Sequence, residues 1–154
     1  MINLIGTYEC KVDSKGRVMM PSAIKRQLGN IINQGFVLKR SVFSKCLELH
    51  PLSQWESLMS QVNQLNRFVK KNNDFIRLFT AGVKSIDADK NGRIQLPKNL
   101  ISFAKIKNQV VLSSNLNMIE IWDKESYEIE LKNASDDFPD LAEEVMGQSK
   151  NIYE

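Results

Sequence analysis

The chain is poor in the residues that most small reactive or cross-linked proteins depend on: two cysteines, one histidine and four prolines among 154 positions. Cys10 and Cys46 lie far apart and form no Cys-x-x-Cys pair. They cannot frame a secreted disulfide scaffold, and the expectation is two buried, reduced packing residues in a cytoplasmic protein. His50, the single histidine, sits beside Pro51. No Ser, Cys and His grouping, no metal-ligand spacing and no glycine-rich phosphate loop leading into a helix accompanies it, so we expect no enzyme, no metal, no cofactor and no small-molecule substrate. Nor is there an apolar run near the roughly 18 to 20 residues that a membrane span needs, or a basic start followed by one. Export and insertion are therefore not expected.

Charge is distributed unevenly behind a formal net value of +3. Residues 1–50 carry eight Lys or Arg against three acids, and residues 81–112 carry six against two. Residues 120–154 reverse the balance, with three basic and eleven acidic side chains. Two basic blocks and an acidic tail suit a face for polyanions with a tail held away from it, and they suit equally the solvated surfaces of two small domains.

An internal repeat is what organises the sequence. Asp13-Ser14-Lys15-Gly16-Arg17-Val18-Met19-Met20-Pro21 returns 76 residues later as Asp89-Lys90-Asn91-Gly92-Arg93-Ile94-Gln95-Leu96-Pro97, with four identities in nine. The shared pattern is Asp-x-x-Gly-Arg-φ-x-φ-Pro, where φ is apolar. Beyond it, Ile24 and Leu28 match Leu100 and Ala104, and Cys46-Leu47-Glu48-Leu49 resembles Met118-Ile119-Glu120-Ile121.

Each copy reads as β-β-α-β-β. In the first, Tyr8–Val12 and Val18–Met20 are β-favouring runs about a turn in which Gly16 can take positive φ, which predicts a hairpin with Arg17 just past its tip. Pro21 suits the entry to a short helix over Ser22–Leu28 that Gly29 closes. Strands are predicted at Gly35–Lys39 and Cys46–Leu49, with counterparts at Gln109–Ser113 and Met118–Trp122. Between the copies, Trp55, Leu58, Met59, Val62 and Leu65 recur at spacings of three and four and predict an amphipathic helix over Leu52–Leu65. Lys70-Lys71-Asn72-Asn73 then interrupts, before a second short helix carrying Phe75, Ile76, Leu78 and Phe79. A last helix is expected over Lys124–Leu131, and the acidic, Pro-interrupted stretch from Lys132 as loop or weak helix. A unit of about 45 residues is too small to bury a stable core alone, so the two copies should interlock around one core.

These residues resemble the MraZ family, whose members carry two tandem SpoVT-AbrB-like domains, each with an Asp-x-x-x-Arg signature. The resemblance covers residues 1 to about 131. It rests on both signatures at their expected separation, on Gly6, on Leu47–Pro51 before Trp55, on Phe79-Thr80-Ala81-Gly82 and on Ile119-Glu120-Ile121-Trp122. It implies an α+β, β-rich fold of two pseudo-symmetric units of the double-split, swapped-hairpin kind: residues 5–51 and 81–123, a helical linker at 52–80, and a helix with an acidic tail at 124–154. It also implies a sequence-specific regulator of the bacterial division and cell-wall gene cluster, typically a repressor. Such a protein would bind direct repeats in double-stranded promoter DNA as a ring-like homo-oligomer and associate with the nucleoid.

Arg17 and Arg93 are the candidate DNA-reading residues, because a planar guanidinium can donate two hydrogen bonds to one guanine in the major groove. Equally, each could pair with Asp13 or Asp89 across its turn, and the two roles are compatible. Lys15, Lys90 and Asn91 at the fingertips suit phosphate or groove contact, and Lys11, Lys25, Arg26, Lys84 and Lys98 would widen the basic surface. Asp13, Gly16, Asp89 and Gly92 read as structural residues of the motif. Trp55, Phe68, Phe75, Phe79 and Trp122 are expected in a core or subunit interface. An antitoxin-like or other protein-interaction module is the main alternative; RNA binding is disfavoured by the lack of an exposed aromatic pair on a strand.

Overall fold

The structure is a computed structural model that describes residues 2–149. Met1 and the last five residues of the acidic tail lie outside it. Up to Lys124 the chain forms one unit, and from Glu125 a second.

In the first unit β1 (Thr7–Lys11), β2 (Arg17–Met19), α1 (Ser22–Leu28), β3 (Phe36–Arg40) and β4 (Leu47–Pro51) make up the first copy of the repeat. The second copy comprises β5 (Lys84–Ile86), β6 (Arg93–Gln95), α4 (Lys98–Phe103), β7 (Gln109–Asn115) and β8 (Met118–Asp123). Between them lie α2 (Leu52–Val62) and α3 (Lys70–Thr80). Gly29 closes α1 as expected, at φ 54° with its N–H donating to the Lys25 carbonyl, and a 3-10 turn over Gly29–Gln34 follows.

The predicted hairpin does not form as a locally paired one. β1 pairs antiparallel with β7, and β2 with β6, both in the other copy; within the copy only a single bridge joins Val12 to Val18. The reciprocal exchange sends β5 to β3. The result is a six-stranded sheet in the order β1-β7-β8-β4-β3-β5 and a separate two-stranded ribbon of β2 and β6. β4 and β8 join the halves, with Glu48 opposite Glu120. A pseudo-twofold relation therefore runs through Glu48/Glu120 in the sheet and Val18/Ile94 in the ribbon, the interlocked arrangement that the size of the units demanded.

Packing repeats the same symmetry. Val18, Met20, Ile24 and Leu28 are buried, and so are Ile94, Leu96, Leu100 and Ala104, their equivalents 76 residues on. They meet Leu38, Leu47 and Leu49 and the matching Leu112, Ile119 and Ile121 in one core. Since burial of each aliphatic side chain contributes about 1.5–3 kcal/mol, neither half-core would hold without the other.

Helix limits depart from expectation at three places. α2 ends at Val62; Asn63 N–H still donates to the Met59 carbonyl at 2.8 Å, and Gln64 and Leu65 follow in tighter turns, donating to the Gln61 and Val62 carbonyls at 3.1 Å. α3 starts inside Lys70–Asn73, the stretch expected to interrupt the helical pattern. There Asn72 and Asn73 turn their side-chain amides back to the carbonyls of Asn66 and Arg67, and Lys70 and Arg77 both pair with Asp74. The second unit, finally, is helical: α5 (Lys124–Ser135) outlasts Leu131, and α6 (Phe138–Ser149) occupies the region expected to be loop or weak helix. Pro139 does not interrupt α6 because it stands in the first turn, where its missing N–H would have no partner in any case, and Asp140 beside it complements the helix dipole.

Candidate nucleic-acid interface

Each signature folds into the same self-bonded turn. Asp13 Oδ1 accepts the backbone N–H of Lys15 at 2.9 Å and of Arg17 at 2.8 Å, and its Oδ2 accepts Arg17 Nε at 2.8 Å. In the second copy Asp89 Oδ1 accepts from Asn91 at 2.8 Å and from Arg93 at 2.9 Å, and Oδ2 accepts Arg93 Nε at 3.2 Å. The backbone of Gly16 donates to the Asp13 carbonyl and that of Gly92 to the Asp89 carbonyl. Both glycines have positive φ, 80° and 83°. This accounts for Asp and Gly in the motif: a carboxylate gathers three donors, and the chain turns through a conformation that a Cβ would strain.

Those donors shift the carboxylates in one direction. The Arg17 backbone N–H, with its guanidinium and the Lys15 N–H, holds the Asp13 carboxyl below its ordinary range. Asp89 is lowered likewise, first by the Arg93 backbone N–H. Both groups are charge partners of arginine, and neither is poised for proton transfer at neutral pH.

Of the two roles open to the arginines, the geometry accommodates both. Each guanidinium spends only Nε on its aspartate, and its terminal nitrogens have no hydrogen-bond partner among the described residues. The side chains of Arg17 and Arg93 are 31% and 29% exposed. A carboxylate that grips Nε fixes the plane of the fork while leaving its two outer N–H edges available.

The ribbon brings the two turns together. In register, Arg17 stands opposite Gln95, Val18 opposite Ile94, and Met19 opposite Arg93. Because strand side chains alternate, Val18 and Ile94 point into the core while Arg17, Met19, Arg93 and Gln95 share the outer face. Lys15, Lys90 and Asn91 are exposed at the two ends of this face. Lys25 joins it from α1, its Nζ 3.9 Å from Met19 Sδ. Lys11 and Lys84 lie instead on β1 and β5, the edge strands of the large sheet. Met19 and Gln95 were missed in the sequence, although the alternation Arg-φ-Met and Arg-φ-Gln placed both on the arginine face.

The family model of the MraZ protein matches the chain twice, over residues 4–78 and 79–148. This chain belongs to the MraZ family. A "Transcriptional regulator MraZ" from Christiangramia forsetii is 63% identical over 96% of this chain and 95% of its own length. Another from Flavobacterium psychrophilum is 58% identical over 96% and 94%, and one from Pediococcus pentosaceus 34% over 92% and 96%. Membership of MraZ makes the chain a transcriptional regulator and not an enzyme, in agreement with what the sequence suggested. Among the described residues no helix is long and apolar enough to cross a membrane.

The expected aromatic residues divide. Trp55 stacks on Phe79 with ring centres 6.1 Å apart and Trp122 is buried, while Phe75 adds to the stack at 5.3 Å but stays 44% exposed. Phe68 is fully exposed on this chain and belongs to no core within it.

Proposed function

We propose that this MraZ chain regulates transcription by laying the β2–β6 ribbon against the major groove of double-stranded promoter DNA, Arg17 and Arg93 reading base edges and Lys15, Lys90 and Asn91 contacting phosphate or groove. The observation that carries this reading is the pair of guanidinium groups on one exposed ribbon face, each held at Nε with its outer nitrogens open. A two-stranded ribbon fits the major groove, about 12 Å wide, and a guanidinium fork matches O6 and N7 of guanine. Asp13, Gly16, Asp89 and Gly92 serve the shape of the turns. Residues 5–51 and 81–123 act as the two recognition units, joined by the helical linker of 52–80 and followed by the helix and acidic tail of 124–154.

One ribbon covers few base pairs, so a ring-like homo-oligomer engaging direct repeats would supply the affinity through linkage. On this reading the chain is a cytoplasmic, nucleoid-associated repressor of the division and cell-wall gene cluster. The test is a binding assay on the duplex upstream of its own gene, comparing wild type with Arg17→Ala and Arg93→Ala over a salt series. Each substitution should weaken specific binding by about tenfold or more and leave the fold and assembly intact. Selective binding retained in full by the double variant, or co-purification of a stoichiometric protein partner on the ribbon face, would favour an antitoxin-like module instead.

A further inference from the structure

The pseudo-twofold relation that superposes the two turns fails in the side chains that support them from behind. Gln95, on the second copy's strand, reaches across to the first copy's fingertip, where its Nε2 donates to the Lys15 carbonyl at 2.6 Å and also lies 3.4 Å from the Leu96 carbonyl. Its equivalent at the other turn is Met19, a thioether with no strong donor to offer the Asn91 carbonyl. The helix residues differ in the same sense. A Cβ at Gly16 would lie 3.3 Å from Ile101 Cδ1, whereas a Cβ at Gly92 would lie 2.8 Å from Lys25 Cδ and 3.1 Å from its Nζ. Ile101 and Lys25 are themselves equivalent positions, 76 residues apart.

The Arg17 fingertip is thus latched by a neutral amide and backed by an aliphatic side chain. The Arg93 fingertip is unlatched and has an ammonium group beside it. We propose that Gln95 is a specificity-determining residue that makes the face directional: it fixes the Lys15–Gly16 peptide, and with it the Arg17 turn, so that the two arginines read unlike halves of a non-palindromic site. Gln95 Oε1 accepts no hydrogen bond among the described residues, and on the outer face it is placed to meet a base amino group. Lys25 supplies the opposite half with a phosphate contact that carries no sequence information.

This inference rests on the DNA-binding reading above, and one experiment separates the two. Full-length wild type, Gln95→Met, Gln95→Glu and Lys25→Met are each used to select from a randomised duplex pool, and the enriched duplexes are then titrated over a salt series. Wild type should enrich an asymmetric motif. Gln95→Met, which leaves both turns without a latch, should change the preference in one half of the motif only and weaken binding to the wild-type duplex about tenfold, with an unchanged salt slope. Gln95→Glu, similar in shape but without the donor, should do the same or worse. Lys25→Met should keep the wild-type motif and reduce the salt slope by about one. Unaltered base preference in both Gln95 variants would overturn the proposal and leave DNA binding intact. Failure of wild type to enrich any sequence would overturn the DNA-binding reading itself, and this inference with it.

Discussion

Val18 and Ile94 face each other across the ribbon, 0% and 1% exposed, and each is preceded by the arginine of its own copy. Core and candidate interface are therefore consecutive positions of the same three-residue strands. Anything that shifts the register by one residue would bury the guanidinium groups and expose the aliphatic pair. The glycine turns just before those strands set that register.

Gly16→Ala and Gly92→Ala should each lower stability by about 1–2 kcal/mol, since both positions need positive φ. Their further costs differ. At Gly92 the new Cβ meets the flexible end of Lys25, which can move aside, while at Gly16 it meets the Leu96 carbonyl as well as Gln95 and Ile101. Urea denaturation should rank Gly16→Ala as the more damaging of the two, and the reverse ranking would show that the latch around Gly16 yields easily.

The turns should also respond to acid in a defined direction. Asp13 and Asp89 have folded pKa values below the unfolded Asp value of about 3.9. Their contribution to stability is thus fully present above that unfolded value, and it disappears as pH falls through the lower, folded one. The gap in thermal midpoint between wild type and the Asp13→Asn, Asp89→Asn double variant should stay constant from neutral pH down to about pH 5 and close below the unfolded value. A gap that closes already near neutral pH would show that these two carboxylates are not its source.

How much of this was legible beforehand depends on what a repeat can tell. The offset of 76 residues matched the buried residues of one copy to those of the other, Val18 to Ile94 and Ile24 to Leu100, because equivalent positions in a pseudo-symmetric core share an environment. It could not say which strand pairs with which. Alternation tells the face a residue occupies and nothing about its partner, so Tyr8–Val12 and Val18–Met20 read as a hairpin although both strands find partners in the other copy. α6 escaped because composition alone marked the tail as acidic and proline-bearing, while the position of Pro139 in a first turn was the informative feature. Gln95 escaped because its importance lies in a contact across 80 residues that no local pattern encodes.

A buried ionic group in the large sheet offers a third test. Lys39 is 1% exposed; its Nζ is 3.7 Å from Glu48 Oε1 and 4.4 Å from the centre of the Phe79 ring. Burial lowers the Lys39 pKa and Glu48 opposes that effect. Burial likewise works against ionisation of Glu48, but the His50 hydrogen bond at 3.0 Å and Lys39 together hold its pKa below the ordinary value. Glu48→Gln removes the counter-charge from a lysine that cannot reach water, and should cost about 3 kcal/mol in urea denaturation even though it also relieves the like charge of Glu120 opposite. Lys39→Met should cost less, because His50 still bonds the carboxylate. Equal losses would mean that Lys39 is held by Phe79 and the Arg40 carbonyl more than by Glu48.

The strand exchange makes the strongest claim about folding. In a fragment of residues 1–80, β1 would lose β7, β2 would lose β6, and the core side chains Val18, Met20, Ile24 and Leu28 would lose Ile94, Leu96, Leu100 and Ala104. No monomeric fold can satisfy those strands, since their in-copy connection is the single Val12–Val18 bridge. The equivalence of the two copies leaves one escape: two fragments could exchange strands as the two copies do, each supplying the other's β6 and β7 positions with its own β2 and β3. Sedimentation and circular dichroism over a concentration series should therefore find either an unfolded chain or a folded dimer whose signal is lost on dilution. A folded monomer of residues 1–80 would mean that the copies are independent domains, and that strand exchange is not what holds the protein together.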